Sequence, residues 1–549
     1  KSSDTAFLKK KEKNKKHKKQ KKKKDIKRNR QEEEKMLECL FFQIIFLLHI
    51  ILLPIYLYLT WNFNYWQKRG LHNALPLTLF GSFPSILTRN RNLLYEIDRL
   101  YRRYKHRRRM VGIFFVRQPQ ILVVDMRLAH EILDTNFGAY ELTAACSWMR
   151  HRRLNKLDKL AAYSALWSSG EHWKLNRSVA CAALTATRLK QTHELWQASC
   201  KRLIQFLQYK CRCASPEALD AIDLVKRFIA DALCITIWGV DAGTLTRSKK
   251  PNLFLQMTER AIRQTRNLRR YSLLSAVMPV FWKLWPFRLI SKAVENYFAQ
   301  FTSDALECHR ELRNPSGMRD VLSYLYTQQH TGRLSDEALT GLCMAMLIDG
   351  FEEICSTLVY SIYYLAKDSR VQSKLRAEVL QTQQREHCTA FGLETLKSLS
   401  YLHHCVFETL RLSPTVQYCR RICSRGNVIQ LSKRKSVQLE EGTVLCIPVY
   451  SYHHDPVIFC EPNSFIPERF DNTAPKELME RRVFLPFGTG PRSCLGKDIS
   501  LLVVKAALAS LVSEYTVRIC SQTQHGYSET VDSFLLNMNG KLMLEFKRL

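Results

Sequence analysis

Eleven residues near the C-terminus carry most of the information about the fold: Pro486-Phe-Gly-Thr-Gly-Pro-Arg-Ser-Cys-Leu-Gly496. The three glycines permit tight turning and close approach of the backbone to a flat ligand, and Arg492 can pair with a carboxylate. Cys494 precedes a predicted helix over Asp498–Tyr515, and a helix N-terminus favours the thiolate that a metal ion needs. The pattern Phe-x-x-Gly-x-Arg-x-Cys-x-Gly therefore predicts a metal-binding cysteine, whereas an isolated cysteine is usually a small buried hydrophobe.

This pattern resembles the haem-binding loop of the cytochrome P450 family. The resemblance implies that Cys494 is the proximal thiolate ligand of the iron in a b-type haem, with Phe487 packed on the sulfur side and Arg492 on a haem propionate. It also implies that Gly488 and Gly496 belong to the haem-binding loop. Electron donation by a thiolate ligand favours cleavage of the O–O bond.

Two motifs upstream of the cysteine match the same family. Glu408-Thr-Leu-Arg411 places a carboxylate and a guanidinium on one helix face, and Pro467-Glu-Arg-Phe470 supplies Arg469. The resemblance implies that Glu408, Arg411 and Arg469 form a buried network that stabilises the haem-binding core. These three residues are therefore expected to be structural.

Further residues resemble the propionate-binding positions of the family. Trp173-Lys-Leu-Asn-Arg177 matches its Trp-x-x-x-Arg motif, and Arg421 follows Arg411 by ten residues. The resemblance extends from about Trp66 to Leu549, and its character is that of the microsomal, xenobiotic-metabolising P450s of insects. Trp173, Arg177 and Arg421 are accordingly expected to contact the cofactor.

A long predicted helix, Ser335–Lys367, departs from the family pattern. The family usually has an acidic residue followed by threonine at the centre of this helix, whereas this chain has Asp349-Gly-Phe-Glu-Glu-Ile354. Glu352 keeps the acidic position and Glu353 replaces the threonine, so these two are the catalytic candidates. A carboxyl group donates a proton only when protonated, but an apolar pocket raises its pKa. Ser356 is an alternative donor, and a third possibility is that Glu353 faces a polar shell and only slows turnover.

The substrate pocket is expected to be apolar and to take a hydrophobic small molecule. The loop after the Glu408–Arg411 motif contributes Val416 and Tyr418 as candidate substrate contacts. The long helix contributes Met346 and Phe351.

The composition of the 549-residue chain is close to the globular average, with 46% hydrophobic and 24% charged residues. This argues against wholesale disorder, a fibrous repeat and a many-span transporter. The net charge of +34 would suit a nucleic-acid binder, but no recognised binding module accompanies it, so no nucleic acid is expected as a partner. The 18 cysteines are scattered without any CxxC pair, which favours a reducing compartment.

The N-terminal region divides into two segments of opposite character. Residues 1–35 contain 17 Lys and Arg against 6 Asp and Glu, so they are expected to be a disordered tail or a gene-model extension preceding a start at Met36. Residues 36–61 are predicted to be a membrane anchor, because the apolar run Leu37–Leu59 is long enough to span about 30 Å at about 1.5 Å per residue.

A cleaved signal peptide is the alternative interpretation of this apolar run. No small-residue cleavage site follows it; instead come several aromatic residues and then Lys68-Arg69. We therefore favour an uncleaved anchor in the endoplasmic reticulum membrane, followed by a cytosolic haem-binding domain over residues 62–549. The segment Tyr271–Ile290 is either a second membrane contact or an ordinary core segment.

The rest of the chain is predicted to be mainly α with minor β, that is, a cytochrome P450 fold preceded by an N-terminal transmembrane helix. Helical periodicity dominates, and short β-like runs occur at 111–116, 121–125, 437–439, 444–449 and 541–546.

The resemblance implies a membrane-bound haem-thiolate monooxygenase. It would use O2 and electrons from NADPH, delivered by NADPH-cytochrome P450 reductase with cytochrome b5 as a second partner, and it would contact membrane lipid. Lys174 and Lys497 lie near the haem motifs and are expected to help dock the reductase, although a solvated basic face is the alternative. Because Glu353 replaces the usual threonine, three alternatives stay open: a haem-thiolate isomerase or dehydratase, a low-activity haem protein and a haem-bearing ligand carrier.

Overall fold

The computed structural model describes residues 2–85, 92–143, 158, 162–211, 217–248, 250–266, 277–278, 288–311, 319–387, 391–471, 483–523 and 540–549. The chain forms two units, Lys1–Asn62 and Phe63–Leu549. Most of the predicted segment Tyr271–Ile290 lies outside the described residues, so its membrane contact stays a prediction.

The first unit is one long helix, α1 (Ser2–Thr60). The helical stretch Lys35–Lys68 is long and apolar enough to cross a membrane, by length and composition. The sequence predicts residues 1–35 to be a disordered tail or a gene-model extension, and the structure has the backbone of residues 2–35 in this same helix. Lysine, glutamate and glutamine are good helix formers, and adding residues to an existing helix avoids the cost of a new nucleus.

The second unit is mainly helical. Its helices are α2 (Tyr65–Lys68), α3 (Leu93–Tyr104), α4 (Met126–His130), α5 (Gly170–Ala183), α6 (Ala186–Lys210), α7 (Ala221–Trp238), α8 (Leu253–Arg266), α9 (Lys292–Glu311), α10 (Val321–His330), α11 (Asp336–Lys367), α12 (Ser369–Glu386), α13 (Leu393–Ser398), α14 (Ser400–Leu412), α15 (Val449–His453) and α16 (Lys497–Glu514).

The strands form three small sheets. They are β1 (Met110–Phe115), β2 (Gln118–Val123), β3 (Leu142–Thr143), β4 (Glu217–Asp220), β5 (Cys419–Ile422), β6 (Asn427–Ser432), β7 (Lys435–Leu439), β8 (Val444–Ile447), β9 (Tyr515–Ile519) and β10 (Met543–Arg548). The largest sheet has the order β1-β2-β8-β5-β3, in which only the β2–β8 pair is parallel. The other sheets are β4-β10-β9 and the hairpin β6-β7. All five β-like runs of the sequence coincide with strands.

The central helix α11 begins and ends close to the predicted Ser335–Lys367. The Ser335 hydroxyl caps its N-terminus by accepting the Ala338 N–H at 3.2 Å. Acidic residues occupy its first turn and Lys367 its last, which matches the helix dipole. The middle of α11 is buried in the larger hydrophobic core together with α7 and α16. A second core lies mainly between the largest sheet and α3.

Candidate active site

The loop before α16 is held in a shape that requires glycine at two positions. Gly488 and Gly490 have φ angles of +66° and +74°. A Cβ atom at Gly490 would lie 2.2 Å from the Leu133 carbonyl oxygen, so a side chain is excluded there. Gly496 has a φ of −91°, which is accessible to any residue, so the tight turning expected of all three glycines does not require glycine at this position. The Cys494 N–H closes the loop by donating to the Phe487 carbonyl at 2.8 Å.

Cys494 is exposed to a cavity of about 300 Å³ inside the domain. Burial among protein atoms raises the pKa of the Cys494 thiol to about 11, although the Gly496 N–H and the Arg177 charge act in the opposite direction. Burial thus opposes the thiolate form that the helix N-terminus favours. A metal ion bound to the sulfur would reverse this balance, because coordination deprotonates a thiol outright.

The cavity wall is predominantly apolar. Two of the four predicted substrate contacts, Met346 and Val416, line it. Phe351 and Tyr418 do not, and each is buried in a hydrophobic core instead. Phe351 lies five residues beyond Met346, which rotates its side chain by roughly 140° around the helix axis. Tyr418 packs in the core of the largest sheet, next to the start of β5.

Two carboxyl groups of α11 line the same cavity, Asp349 and Glu353. Burial and then the charges of Glu352 and Asp349 raise the pKa of Glu353 well above its usual value. Burial raises the pKa of Asp349 to about 7, despite a hydrogen bond of 2.5 Å from the Ser164 hydroxyl. Burial therefore shifts both carboxyls towards the protonated form.

Other predicted donors on this helix point elsewhere. Glu352 and Ser356 are absent from the described residues that line the cavity. Sequence reasoning did not select Asp349 or its partner Ser164. The spacing of four residues between Asp349 and Glu353, which places both on one helix face, was the available signal.

Trp173 carries a polar atom that fits an anionic cofactor group. The centre of its ring lies 4.2 Å from the guanidinium carbon of Arg492 and 5.9 Å from that of Arg177. Within the described part of the chain, its buried indole Nε1–H has no hydrogen-bond acceptor. Because an unsatisfied buried donor is costly, this atom is suited to a carboxylate oxygen such as a haem propionate.

Three arginines add positive charge to the cavity that Cys494 faces. Arg177, Arg421 and Arg492 all line it. Arg177 Nη2 donates to the Ser493 carbonyl at 2.8 Å, which joins α5 to the cysteine loop. Three nitrogens of Arg492 donate to backbone carbonyls at 2.9–3.1 Å, which holds its guanidinium in place beside the cavity. Its contact with a propionate stays a prediction. The residues present thus suit a flat, dianionic, cysteine-ligated group such as haem.

The predicted ion-pair network is present and buried. Arg411 donates to both carboxylate oxygens of Glu408, at 2.7 and 2.9 Å, and Arg469 Nε donates to Glu408 Oε1 at 2.9 Å. Glu408 and Arg411 have no exposed side-chain surface. Arg411 also donates to the carbonyls of His453 and Pro462, so the network fixes the chain between α14 and the cysteine loop.

His453 connects this network to the cysteine loop. The Leu485 N–H donates to His453 Nε2 at 2.9 Å, and burial lowers the pKa of His453 well below its usual value. His453 is therefore a neutral structural residue. Among the described residues, no group of three or more His, Cys, Asp or Glu side chains could hold a metal ion.

Comparison with known proteins gives a consistent result. The family model described as "Cytochrome P450" matches residues 72–545. The chain is 36% identical over 508 residues to "Probable cytochrome P450 309a2" of Drosophila melanogaster, covering 91% of this chain and 92% of that protein. It is 30% identical to "Probable cytochrome P450 28d1" of the same fly, with 91% and 98% covered. It is 26% identical to the fly's "Cytochrome P450 6a2", with 89% and 96% covered.

Proposed function

The chain belongs to the cytochrome P450 family, and from this premise we propose that it inserts one oxygen atom of O2 into a hydrophobic small molecule. Members of the family are haem-thiolate monooxygenases, so the enzyme class follows from membership. The substrate class, the electron donor and the membrane location are proposals. The observation that carries the proposal is the position of Cys494 in an apolar cavity that α11 also lines.

Each site residue has a proposed role. Cys494 supplies the thiolate ligand, within the loop that contains Phe487, Gly488 and Gly496. The Trp173 indole N–H, Arg177, Arg421 and Arg492 bind and orient the haem propionates. The haem supplies the activation of O2. Met346 and Val416 contact the substrate through the apolar wall.

Glu353 is proposed to hold a proton at the cavity surface, with Glu352 as its acidic neighbour. Burial raises the pKa of Glu353 well above its usual value and so favours the protonated form, which has the O–H that a hydroxyl group would offer. This argument supports oxygenase function without the usual threonine. A haem-thiolate isomerase or dehydratase is not favoured by the comparisons.

Residues 1–35, 36–61 and 62–549 are proposed to be a basic tail, a membrane anchor and the catalytic domain. The apolar helical stretch supports an anchor in the endoplasmic reticulum membrane. Lys68 and Arg69 follow it, which favours a cytosolic catalytic domain. A groove is lined by Arg107, Arg108, Lys435 and also Gly70, which comes two residues after this stretch in the sequence. The positive charge of the groove suits contact with anionic lipid.

Lys174 and Lys497 are proposed to dock NADPH-cytochrome P450 reductase, and cytochrome b5 would use the same face. The hydrogen bond between Arg177 and the Ser493 carbonyl brings their two segments together beside the cysteine loop. The Lys174 side chain is exposed, although it also pairs with Glu171 at 2.7 Å. A positive surface at this position would speed association with an acidic partner.

Reconstitution with the reductase tests the proposed reaction. The purified haem-loaded protein in phospholipid vesicles is expected to form an oxygenated product from a lipophilic test compound only when NADPH, O2 and reductase are all present. Product formation from an organic hydroperoxide alone, with none from NADPH and reductase, would instead support the isomerase or dehydratase. Tight ligand binding with turnover in neither assay would support a carrier.

Replacement of Glu353 tests its role as a proton donor. We expect Glu353→Gln to lower the ratio of product formed to hydrogen peroxide released by about 100-fold, because the amide keeps the shape of the side chain but has no acidic proton to transfer. Glu353→Thr is the matched control: its hydroxyl also donates a hydrogen bond, so its ratio should stay close to that of the unaltered protein. An unchanged ratio in Glu353→Gln would contradict the role.

A further inference from the structure

The two carboxyl groups that line the cavity have no evident use for a purely apolar substrate. Asp349 and Glu353 lie four residues apart on α11, among the apolar residues Leu342, Ala345 and Ile354 of the same wall. Burying a carboxyl group in an apolar site is costly unless it is paired or hydrogen-bonded. Two carboxyl groups in one apolar cavity are therefore unusual, and they could bind a polar or charged group of a ligand.

Neither carboxyl is compensated by a cation within the described residues. Glu353 has two acidic neighbours, Glu352 and Asp349, and its Oε2 atom is buried with no hydrogen-bond partner. The only side chain that hydrogen-bonds Asp349 in the described structure is the neutral Ser164. Burial and these surroundings raise the pKa of both groups, so a positive charge that enters the cavity would stabilise their ionised forms.

The Asp349 carboxyl is held in a defined orientation. The Ser164 hydroxyl oxygen accepts the Leu166 N–H at 3.0 Å, and the hydroxyl hydrogen is donated to Asp349 Oδ2 at 2.5 Å. This arrangement fixes one carboxylate oxygen, and no hydrogen bond from the described residues occupies the other, which can therefore face a ligand. A fixed acceptor in an apolar cavity recognises a cation better than a mobile surface carboxylate does, because less conformational freedom is lost on binding.

The cations of the cavity belong to other elements. Arg177 lies on α5, Arg421 on β5 and Arg492 on the cysteine loop, whereas both acids lie on α11. Arg177 and Arg492 also donate to backbone carbonyls. The cavity thus combines an arginine-bearing wall, suited to anionic cofactor groups, with an acid-bearing wall.

We propose that Asp349 and Glu353 make the cavity selective for hydrophobic molecules that carry a positively charged amine, so that lipophilic amines are the preferred substrates. The ammonium group pairs with the ionised Asp349 carboxylate next to Glu353, which keeps its proton, and the hydrocarbon part packs on the apolar wall with Met346 and Val416. This inference rests on the proposed function, whose substrate class it names.

A pair of ligands of the same shape tests the selectivity. Phenylbutyl trimethylammonium carries a permanent charge and cannot coordinate a metal, and its tert-butyl isostere replaces the nitrogen by carbon. Isothermal titration calorimetry on the full-length haem-loaded protein is expected to show that the charged ligand binds at least about tenfold more tightly. Asp349→Asn should reduce this preference by about tenfold and leave the binding of the isostere within about twofold.

Glu337→Gln is the matched control. It removes one negative charge from an exposed position in the first turn of the same helix, and it should keep the full preference for the cation. Equal binding of the two ligands by the unaltered protein would overturn the inference, as would an unchanged preference in Asp349→Asn. The reduced-carbon-monoxide spectrum of each sample tests the haem-thiolate assignment separately. A normal spectrum without cation preference contradicts only the amine selectivity, whereas an absent thiolate band contradicts the proposed function.

Discussion

Arg411→Ala is expected to destabilise the protein by about 3–5 kcal/mol, because it leaves the fully buried Glu408 carboxylate without its bidentate partner. The carbonyls of His453 and Pro462 also lose their donor. Arg469 alone cannot replace these contacts, since it reaches only one oxygen of Glu408. Because His453 also accepts the Leu485 N–H just before the cysteine loop, haem retention should fall together with stability.

Urea-induced unfolding measured by circular dichroism checks this expectation. Arg370→Ala is the matched control, since Arg370 is 75% exposed and its ion pair with Asp368 spans 3.7 Å. Removal of such an exposed pair should cost about 0–1 kcal/mol. If Arg411→Ala does not fold, Arg411→Lys provides the second variant: it keeps the charge but loses the bidentate geometry, so its stability should fall between the other two. Equal stability of Arg411→Ala and Arg370→Ala would show that the network contributes little.

Cys494→Ser is expected to eliminate turnover supported by NADPH and reductase. A serine hydroxyl is a poor substitute for a thiolate, because oxygen donates far less electron density to iron than sulfur does. Trp173 and the arginines of the cavity are unaltered in this variant, so some haem should still bind, and product must be measured per bound haem. Cys308→Ser, at an exposed cysteine on α9, is the matched control and should keep full activity. Turnover by Cys494→Ser at the unaltered rate would exclude Cys494 as the ligand.

The motifs that could be predicted from the sequence are those whose geometry is local or fixed by chain order. The Glu408–Arg411 pair lies on one turn of α14, so its contact follows from helical spacing alone. The start of α11 is set by the capping Ser335, which is visible in the sequence. The cysteine loop is recognisable because its glycines are required by positive φ angles at Gly488 and Gly490.

The features that could not be predicted depend on how elements pack. Phe351 and Met346 are both apolar residues of α11, and only the rotation of that helix against its neighbours decides that Met346 faces the cavity. The hydrogen bond between Ser164 and Asp349 joins residues 185 positions apart, and no periodicity indicates it. The helical backbone of residues 2–35 does not follow from the sequence, because a high charge predicts disorder whereas the same lysines also favour a helix.

The reduced-carbon-monoxide difference spectrum of the purified protein tests the central claim most directly, because its band position reports the atom that ligates the haem iron. We predict a band at the wavelength typical of thiolate-ligated haem in the unaltered protein, and loss of that band in Cys494→Ser. A band at the wavelength of nitrogen-ligated haem in the unaltered protein, or a thiolate band that persists in Cys494→Ser, would contradict the assignment of Cys494 as the haem ligand.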